Sequence, residues 1–338
     1  MQRYEYKPDG GAFRLELSKQ PTRTPGPGEV RVRVRATSLN YRDLITLKKM
    51  AGREVEGIVP LSDGAGEVAA VGEGVTHWRV GDRVAGCFFQ GWASGPFELS
   101  YHKADLGGSL DGMLAEEVVL AEGGLVRIPD HLSFAEAACL PCAGLTAWYA
   151  MTTRGGFKRG DTLLALGTGG VSIFALQFAV ALGGTAIVTS SSDEKLERAR
   201  ALGATHTINY RTIPDWGREV WRLTGKRGVD HVMEVGGPGT LEKSLNSVAA
   251  GGHIALIGVL TGFGAPQSSL FPLVTRNARM SGIYVGPRED LEAMNDFLTR
   301  TQLRPVVDRV FPFEEAAAAF DYLESGNHLG KVVIKHPA

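Results

Sequence analysis

The sequence predicts an α/β protein in which a doubly wound parallel sheet is joined to a second, β-rich, barrel-like domain. Three observations carry this. A chain of 338 residues is longer than one core ordinarily organises. Its first third consists of short strand-like runs separated by glycine-rich turns. From about residue 129 onward, strand-like and helix-like segments alternate, as they do in parallel sheets with crossover helices. The expected division is 1–128 with 288–338 for the β-rich domain and 129–287 for the parallel sheet.

Composition narrows the possible partners. The formal net charge is −1, from 36 basic and 37 acidic residues, so no global field draws nucleic acid or an anionic membrane. Three cysteines, Cys87, Cys139 and Cys142, make no disulfide framework and suggest a reducing, cytoplasmic setting. The first eleven residues are polar, and no secretory leader is expected from them. The uncharged run 162–192 is long enough to span a bilayer. Gly167, Gly169, Gly170, Gly183 and Gly184 break it, so strand, turn, helix and second strand are expected there instead.

Taken in order, residues 29–35 (EVRVRVR) alternate apolar and charged side chains as a half-buried strand does. Residues 64–71 and 82–85 are further short strands. Ser133 and Glu136 form a capping box that starts a helix. Strands are expected at 163–166, 186–189, 229–235 and 253–257, with helices at 171–182, 193–202 and 241–249. A helix at 313–323 precedes the apolar strand 331–334, which is expected to return to the first domain. Residues 280–285 are expected as an edge strand, and an open edge invites a two-fold homodimer. Gly91, Gly95, Gly107 and Gly108 suggest a mobile lid over 88–108.

The chemistry concentrates after the strand at 163–166. Gly167-Thr-Gly169-Gly170-Val171 follows a strand and opens a helix. Gly167 permits the tight turn, Gly169 removes a side chain where a pyrophosphate approaches, and the helix N-terminus offers N–H groups to it. Ser172 stands where the usual Rossmann fingerprint has its third glycine. At the end of the next strand an acid ordinarily holds the ribose hydroxyls of NAD, and here the residue is Ser190. Ser190, Ser191 and Lys195 favour NADP(H). Asp193 opposes this if it points inward, and Ser191 with Glu194 also suits a helix cap.

Together with Ser38-Leu-Asn40-Tyr41-Arg42-Asp43, residues 63–68 (DGAGEV), 80–84 (VGDRV), 140–148 (LPCAGLTAW), 204–210 (ATHTINY) and 326–334 (GNHLGKVVI), this pattern resembles the medium-chain dehydrogenase/reductases, specifically their zinc-free quinone oxidoreductase-like branch. The resemblance covers nearly the whole chain. It implies a GroES-like catalytic domain and a Rossmann cofactor domain. In the alcohol dehydrogenases of that superfamily zinc sits on Cys, His and Cys; the matching positions here are Asn40, Ser62 and Cys142, a poor donor set. Position 42, where the proton-relaying hydroxyl would fall, is arginine, and Cys87 stands alone where the structural zinc lobe has four cysteines.

By the same resemblance Asn40 contacts the nicotinamide side of the site, and its amide or the Tyr41 hydroxyl polarises a substrate carbonyl. For Tyr41 a phosphate or packing contact is an equal alternative. Asp43 is expected to orient its neighbours. Thr146 matches a place beside the nicotinamide, Tyr210 one beside the adenosine phosphate, and Asn327 and Lys331 places near the cofactor. The implied activity is an NADPH-dependent, zinc-independent reduction of quinones, enones or other activated carbonyls. A metal-free alcohol/ketone dehydrogenase and an NADPH-binding protein with little turnover stay open. The histidines are expected to be surface or satisfied core residues, with no ligand-spaced pair.

Overall fold

The computed structural model describes residues 1–265 and 268–337. The chain forms two compact units, Met1–Leu145 with Gly286–Ala338, and Thr146–Val285.

The first unit opens with β1 (Gln2–Asp9) and β2 (Ala12–Lys19), an antiparallel hairpin turned by Gly10 and Gly11, both at positive φ. Then follow β3 (Glu29–Ser38), α1 (Tyr41–Leu47), β4 (Asp63–Val71), β5 (Arg83–Gly86), β6 (Glu117–Ala121), β7 (Leu125–Arg127) and α2 (Phe134–Ala137). In β3 the period-two pattern works as written, with Val30, Val32 and Val34 in the core and Arg33 in solvent. The run 63–68 needs glycine at 66, because a Cβ there would lie 2.0 Å from the Arg33 carbonyl oxygen on the paired strand.

The stretch 129–145 packs with this unit rather than with the parallel sheet. The Ser133–Glu136 capping box forms. Glu136 also pairs with Arg304, Arg83 donates to the carbonyls of Asp130 and Leu132, and Ser38 donates to that of Ala138. These ties hold the segment to the barrel side, and the unit ends at Leu145 instead of residue 128.

The chain enters the second unit within α3 (Leu145–Tyr149), which lies between two π-helical turns, 140–144 and 150–154. Strands and helices then alternate: β8 (Thr162–Leu166), α4 (Gly170–Ala181), β9 (Thr185–Ser190), α5 (Asp193–Ala201), β10 (His206–Asn209), α6 (Trp216–Leu223), β11 (Val229–Glu234), α7 (Leu241–Ser247), β12 (Val248–Leu256), α8 (Phe271–Thr275) and β13 (Arg279–Gly282). All pairs in this sheet are parallel, in the order β10-β9-β8-β11-β12-β13. The chain therefore steps outward from β8 in one direction and from β11 in the other. That is the doubly wound arrangement, with its switch point between β8 and β11. Its core is built by Leu164, Leu166, Ile187, Val232 and Ile254 on the strands with Trp216, Val220, Leu241 and Leu245 on the helices. Helix α7 stops at Ser247, short of the expected 249, because Val248 and Ala249 already belong to β12.

The remaining elements, α9 (Arg288–Thr301), β14 (Val307–Pro312), α10 (Ala316–Glu324) and β15 (Lys331–Lys335), return to the first unit. Strand β15 lies between β14 and β3 in a seven-stranded sheet of order β14-β15-β3-β4-β5-β7, with β6 also on β3. Val332 and Ile334 join the valines of β3, β4 and β5 in one core, capped by Phe320 and Leu323 of α10.

Candidate cofactor and active site

In the second unit the glycine fingerprint stands at the switch point. β8 ends at Leu166 and Gly167 turns the chain at φ +73°, a conformation that favours glycine. Gly169 is the N-cap of α4, and a Cβ at Gly167 or Gly169 would meet no atom within 4 Å, so the ground in front of the turn is open. The first-turn N–H groups of α4 have no intrahelical partner and face that ground with the positive end of the helix dipole. At the third-glycine position Ser172 is buried and donates to the Leu166 carbonyl at 2.6 Å, closing helix onto strand by a hydrogen bond. These features fit a dinucleotide pyrophosphate.

Strand register gathers the candidate selectivity residues beside this turn. Leu166 is paired with Thr189, and the Gly167 N–H donates to Thr189 Oγ1 at 3.2 Å. Ser190 is paired with Asn209, and the Tyr210 N–H donates to the Ser190 carbonyl at 3.0 Å. Ser190 ends its strand, and Gly167 and Tyr210 directly follow the ends of the two strands beside it. Ser190 is buried and accepts from the Ser192 N–H at 3.3 Å, while Ser191 is half-buried and Tyr210 is exposed. The cap of α5 is Ser192, accepting from the Lys195 N–H, and not Ser191. The shift leaves the Ser191 hydroxyl out of the cap. Asp193 accepts from Asn209 Nδ2 at 2.8 Å, which engages the carboxylate that would oppose a phosphate. Thr146 is buried in α3.

Sequence reasoning missed Glu234. It ends β11 directly beside the end of β8, fully buried. One carboxylate oxygen accepts from the N–H groups of Gly236 (2.8 Å) and Gly237 (2.9 Å) and from Thr240 Oγ1 (2.6 Å), and the other accepts from Ser244 Oγ. The Glu-x-Gly-Gly spacing was the only signal. The two buried histidines His231 and His253 were also missed as a pair. They are register partners on β11 and β12 with rings 6.2 Å apart. His231 Nε2 meets Asp161 and His253 Nε2 meets Ser281.

The first unit carries the second constellation, where the end of β3, the start of α1, the start of β4 and the start of β15 converge. Ser38 is paired with both Asp63 and Val333. Asn40, 9% exposed, is the N-cap of α1. Its Oδ1 accepts from Lys331 Nζ at 2.6 Å and its Nδ2 donates to Asp63 Oδ2 at 2.9 Å. Lys331, 2% exposed, also donates to the Leu39 carbonyl at 2.6 Å and lies 3.6 Å from Asp63. Its ammonium is engaged within this cluster. Asp63 receives a further hydrogen bond from Ser62, and the Ser38 hydroxyl, whose one hydrogen is shared with the Ala138 carbonyl, lies 3.2 Å from it. Burial pushes its carboxyl up, opposed by the Lys331 charge and those hydrogen bonds.

Asp43 orients, as expected: one oxygen accepts from the Asn40 N–H at 2.7 Å. The other is buried without a hydrogen-bond partner, and burial, opposed by Arg42, pushes the carboxyl up to about 6. Tyr41, the first residue of α1, is 36% exposed. Asn327 is exposed in the turn before β15, its N–H on Ser325 Oγ, and no hydrogen bond joins it to Asn40 or Lys331 among the described residues.

The segment 88–108 is packed on its own aromatic side chains. Phe88, Phe89 and Trp92 are buried, and Phe89, Trp92, Phe97, Tyr101 and His102 form a continuous ring cluster. Asp105 anchors it, buried and gripped by both arms of Arg53 and by Arg42. Burial alone would push the Asp105 carboxyl up, yet the Arg53 hydrogen bonds and the Arg42 charge bring it below the ordinary value.

The donors do not suit zinc. The Asn40 carbonyl is taken by an ammonium, the Ser62 hydroxyl donates to Asp63, and burial together with the Asp63 charge pushes the Cys142 thiol up. A cation is already present in Lys331. Among the described residues no three His, Cys, Asp or Glu side chains stand together as a metal ion requires.

Comparison with known proteins agrees with this layout. Residues 26–130 match the alcohol dehydrogenase GroES-like domain and residues 170–300 the zinc-binding dehydrogenase domain. A zinc-type alcohol dehydrogenase-like protein of Schizosaccharomyces pombe is 44% identical, over 91% of each chain. A quinone oxidoreductase of Pseudomonas aeruginosa is 35% identical over 98% of each chain. A solved NAD-dependent alcohol dehydrogenase, 35% identical, superposes with a TM-score of 0.88 over 99% of both chains. No helix is long and apolar enough to cross a membrane among the described residues.

Proposed function

Because the chain belongs to the medium-chain dehydrogenase/reductase superfamily and is an NAD(P)-dependent oxidoreductase, we propose that it uses NADPH, without zinc, to reduce quinones or α,β-unsaturated carbonyls. The observation that supports the zinc-free part of the reading is the Asn40–Lys331–Asp63 cluster, in which the residue matching a zinc-ligand position is an amide whose oxygen already accepts from a protein ammonium.

The nicotinamide, when bound, supplies the hydride. Gly167, Gly169, Gly170 and Val171 hold the pyrophosphate at the N-terminus of α4. Ser190, Ser191 and Lys195, flanked by Tyr210, meet the 2′-phosphate. Asn40 and Tyr41 donate to the substrate carbonyl oxygen as negative charge develops there. The final proton comes from Tyr41 or from water. Asp43 fixes the backbone from which Asn40 projects.

A two-fold dimer completes the reading. β13 is the edge of the parallel sheet, and Leu260, Phe263, Leu270, Phe271, Val274 and Tyr284 are all exposed in the same stretch of chain. A second copy pairing at this edge would cover them.

The test is cofactor titration followed by turnover. A charge-assisted contact to phosphate is worth roughly 1.5–3 kcal/mol, so NADPH should bind about ten- to a hundredfold tighter than NADH. Lys195→Ala should weaken NADPH far more than NADH. NADPH oxidation should respond to a panel of quinones and enones and survive chelators. Equal affinity for both cofactors, or activity that a chelator abolishes and zinc restores, would overturn the proposal.

A further inference from the structure

We infer that Lys331 and Asp63 are positioning residues that lock the Asn40 amide in one orientation and leave one of its N–H bonds as a fixed donor. The inference rests on the reading of Asn40 as the group that meets the substrate carbonyl.

A side-chain amide presents an oxygen on one side and an NH2 group on the other, and its two orientations ordinarily differ little in energy. Asn40 lies between unlike buried charges. Its oxygen faces the Lys331 ammonium at 2.6 Å and its nitrogen faces the Asp63 carboxylate at 2.9 Å. Turning the amide over would set NH2 against an ammonium and a carbonyl against a carboxylate, two repulsive contacts in place of two charge-assisted hydrogen bonds. The ammonium cannot follow such a turn, because it is also tied to the Leu39 carbonyl at 2.6 Å, on the backbone of the preceding residue. Asp63 is held in turn by the Ser62 hydroxyl.

The amide nitrogen has two N–H bonds, and Asp63 takes one. The other keeps a direction set by three buried side chains and by the α1 cap, where Asp43 holds the Asn40 N–H. An ion pair of this kind adds little to stability when compared with apolar residues of the same shape. Its effect here is on direction: it pre-aims a neutral donor before charge appears on the substrate, which is the condition for electrostatic stabilisation without reorganisation.

The experiment uses the full chain with asparagine labelled by 15N. The Asn40 side-chain pair is assigned by its loss in Asn40→Asp. In the unaltered protein the two N–H signals should be well separated and slow to exchange with water. In Lys331→Met the amide loses its oxygen-side partner, and exchange should accelerate by at least ~10-fold, with kcat falling roughly a hundredfold, the scale of a misplaced reacting group. KM and cofactor affinity should change little, and Lys331→Arg should recover part of kcat. If Lys331→Met fails to fold because Asp63 is left unpaired, the charge-free double variant Lys331→Met with Asp63→Asn replaces it, with the same expected loosening. Unchanged Asn40 amide signals in whichever variant folds would overturn the inference. Absence of turnover on every quinone and enone in the unaltered protein would overturn the proposed activity instead, and the amide signals would still decide the positioning claim.

Discussion

Removing the Glu234 carboxylate separates hydrogen bonding from charge in the loop beside the glycine fingerprint. In Glu234→Ala the buried N–H groups of Gly236 and Gly237 lose the carboxylate oxygen that accepts from both. A buried donor left unpaired costs about 1–3 kcal/mol, so the pair accounts for roughly 2–6 kcal/mol. The two hydroxyls add less, since Thr240 already has the Gly237 carbonyl within 3.2 Å and Ser244 can rotate. Glu234→Gln keeps one oxygen on the three-donor side, and the Ser244 hydroxyl can reverse to accept from the new NH2. What remains lost is the charge assistance, about 1–2 kcal/mol by the ordinary difference between charged and neutral acceptors. Urea unfolding of both variants, with hydrogen exchange at the Gly236 and Gly237 amides, measures this directly. Alanine should destabilise more than glutamine, by about 2–3 kcal/mol at the middle of these ranges, and should deprotect both amides. Equal stabilities for the two variants, or unchanged protection in the alanine variant, would refute the reasoning.

Two further outcomes follow from the fold. Asp43 has its carboxyl pushed up to about 6 from an ordinary 3.8, chiefly by burial. The unfolded chain releases that proton first, so stability is full below about pH 4 and falls as pH rises through 6, by roughly 3 kcal/mol at about 1.4 kcal/mol per unit. Asp43→Asn should lack this fall and gain on the unaltered protein by that amount between pH 4 and 7; parallel pH–stability curves would contradict it. Light scattering should give a dimer that Phe271→Asp with Val274→Asp converts to monomer, and a monomeric unaltered protein would remove the dimer from the proposal.

Legibility in the sequence followed the range of the interactions. The alternation in 29–35, the capping box at Ser133 and the strand–turn–helix at Gly167 are local, and each formed where expected. The α5 cap was misplaced by one residue because three successive serines offer the same hydroxyl, and only the Lys195 N–H chooses Ser192. The π-helical turns around α3 have no compositional mark. The Asn40–Lys331 contact spans 291 residues, and β15 brings it about only through pairing with β3. The glycines of 88–108 suggested mobility, while the aromatic residues between them built a small core and Asp105 tied it down. Glycine content alone did not tell a hinge from a close-packed loop.

The position of β15 also sets an order of events during synthesis. Thr146–Val285 is continuous and can fold as soon as it emerges, as domains ordinarily do. The first sheet cannot close at that stage, because the strand that sits between β14 and β3 is translated only after the whole second unit. Until then the apolar faces of β3 and β4 wait without part of their core. The Asn40 amide likewise has no ammonium to aim it. The earlier unit in the chain is thus the later one to mature. A nascent chain halted before residue 331 would carry a finished parallel sheet and an unfinished first sheet.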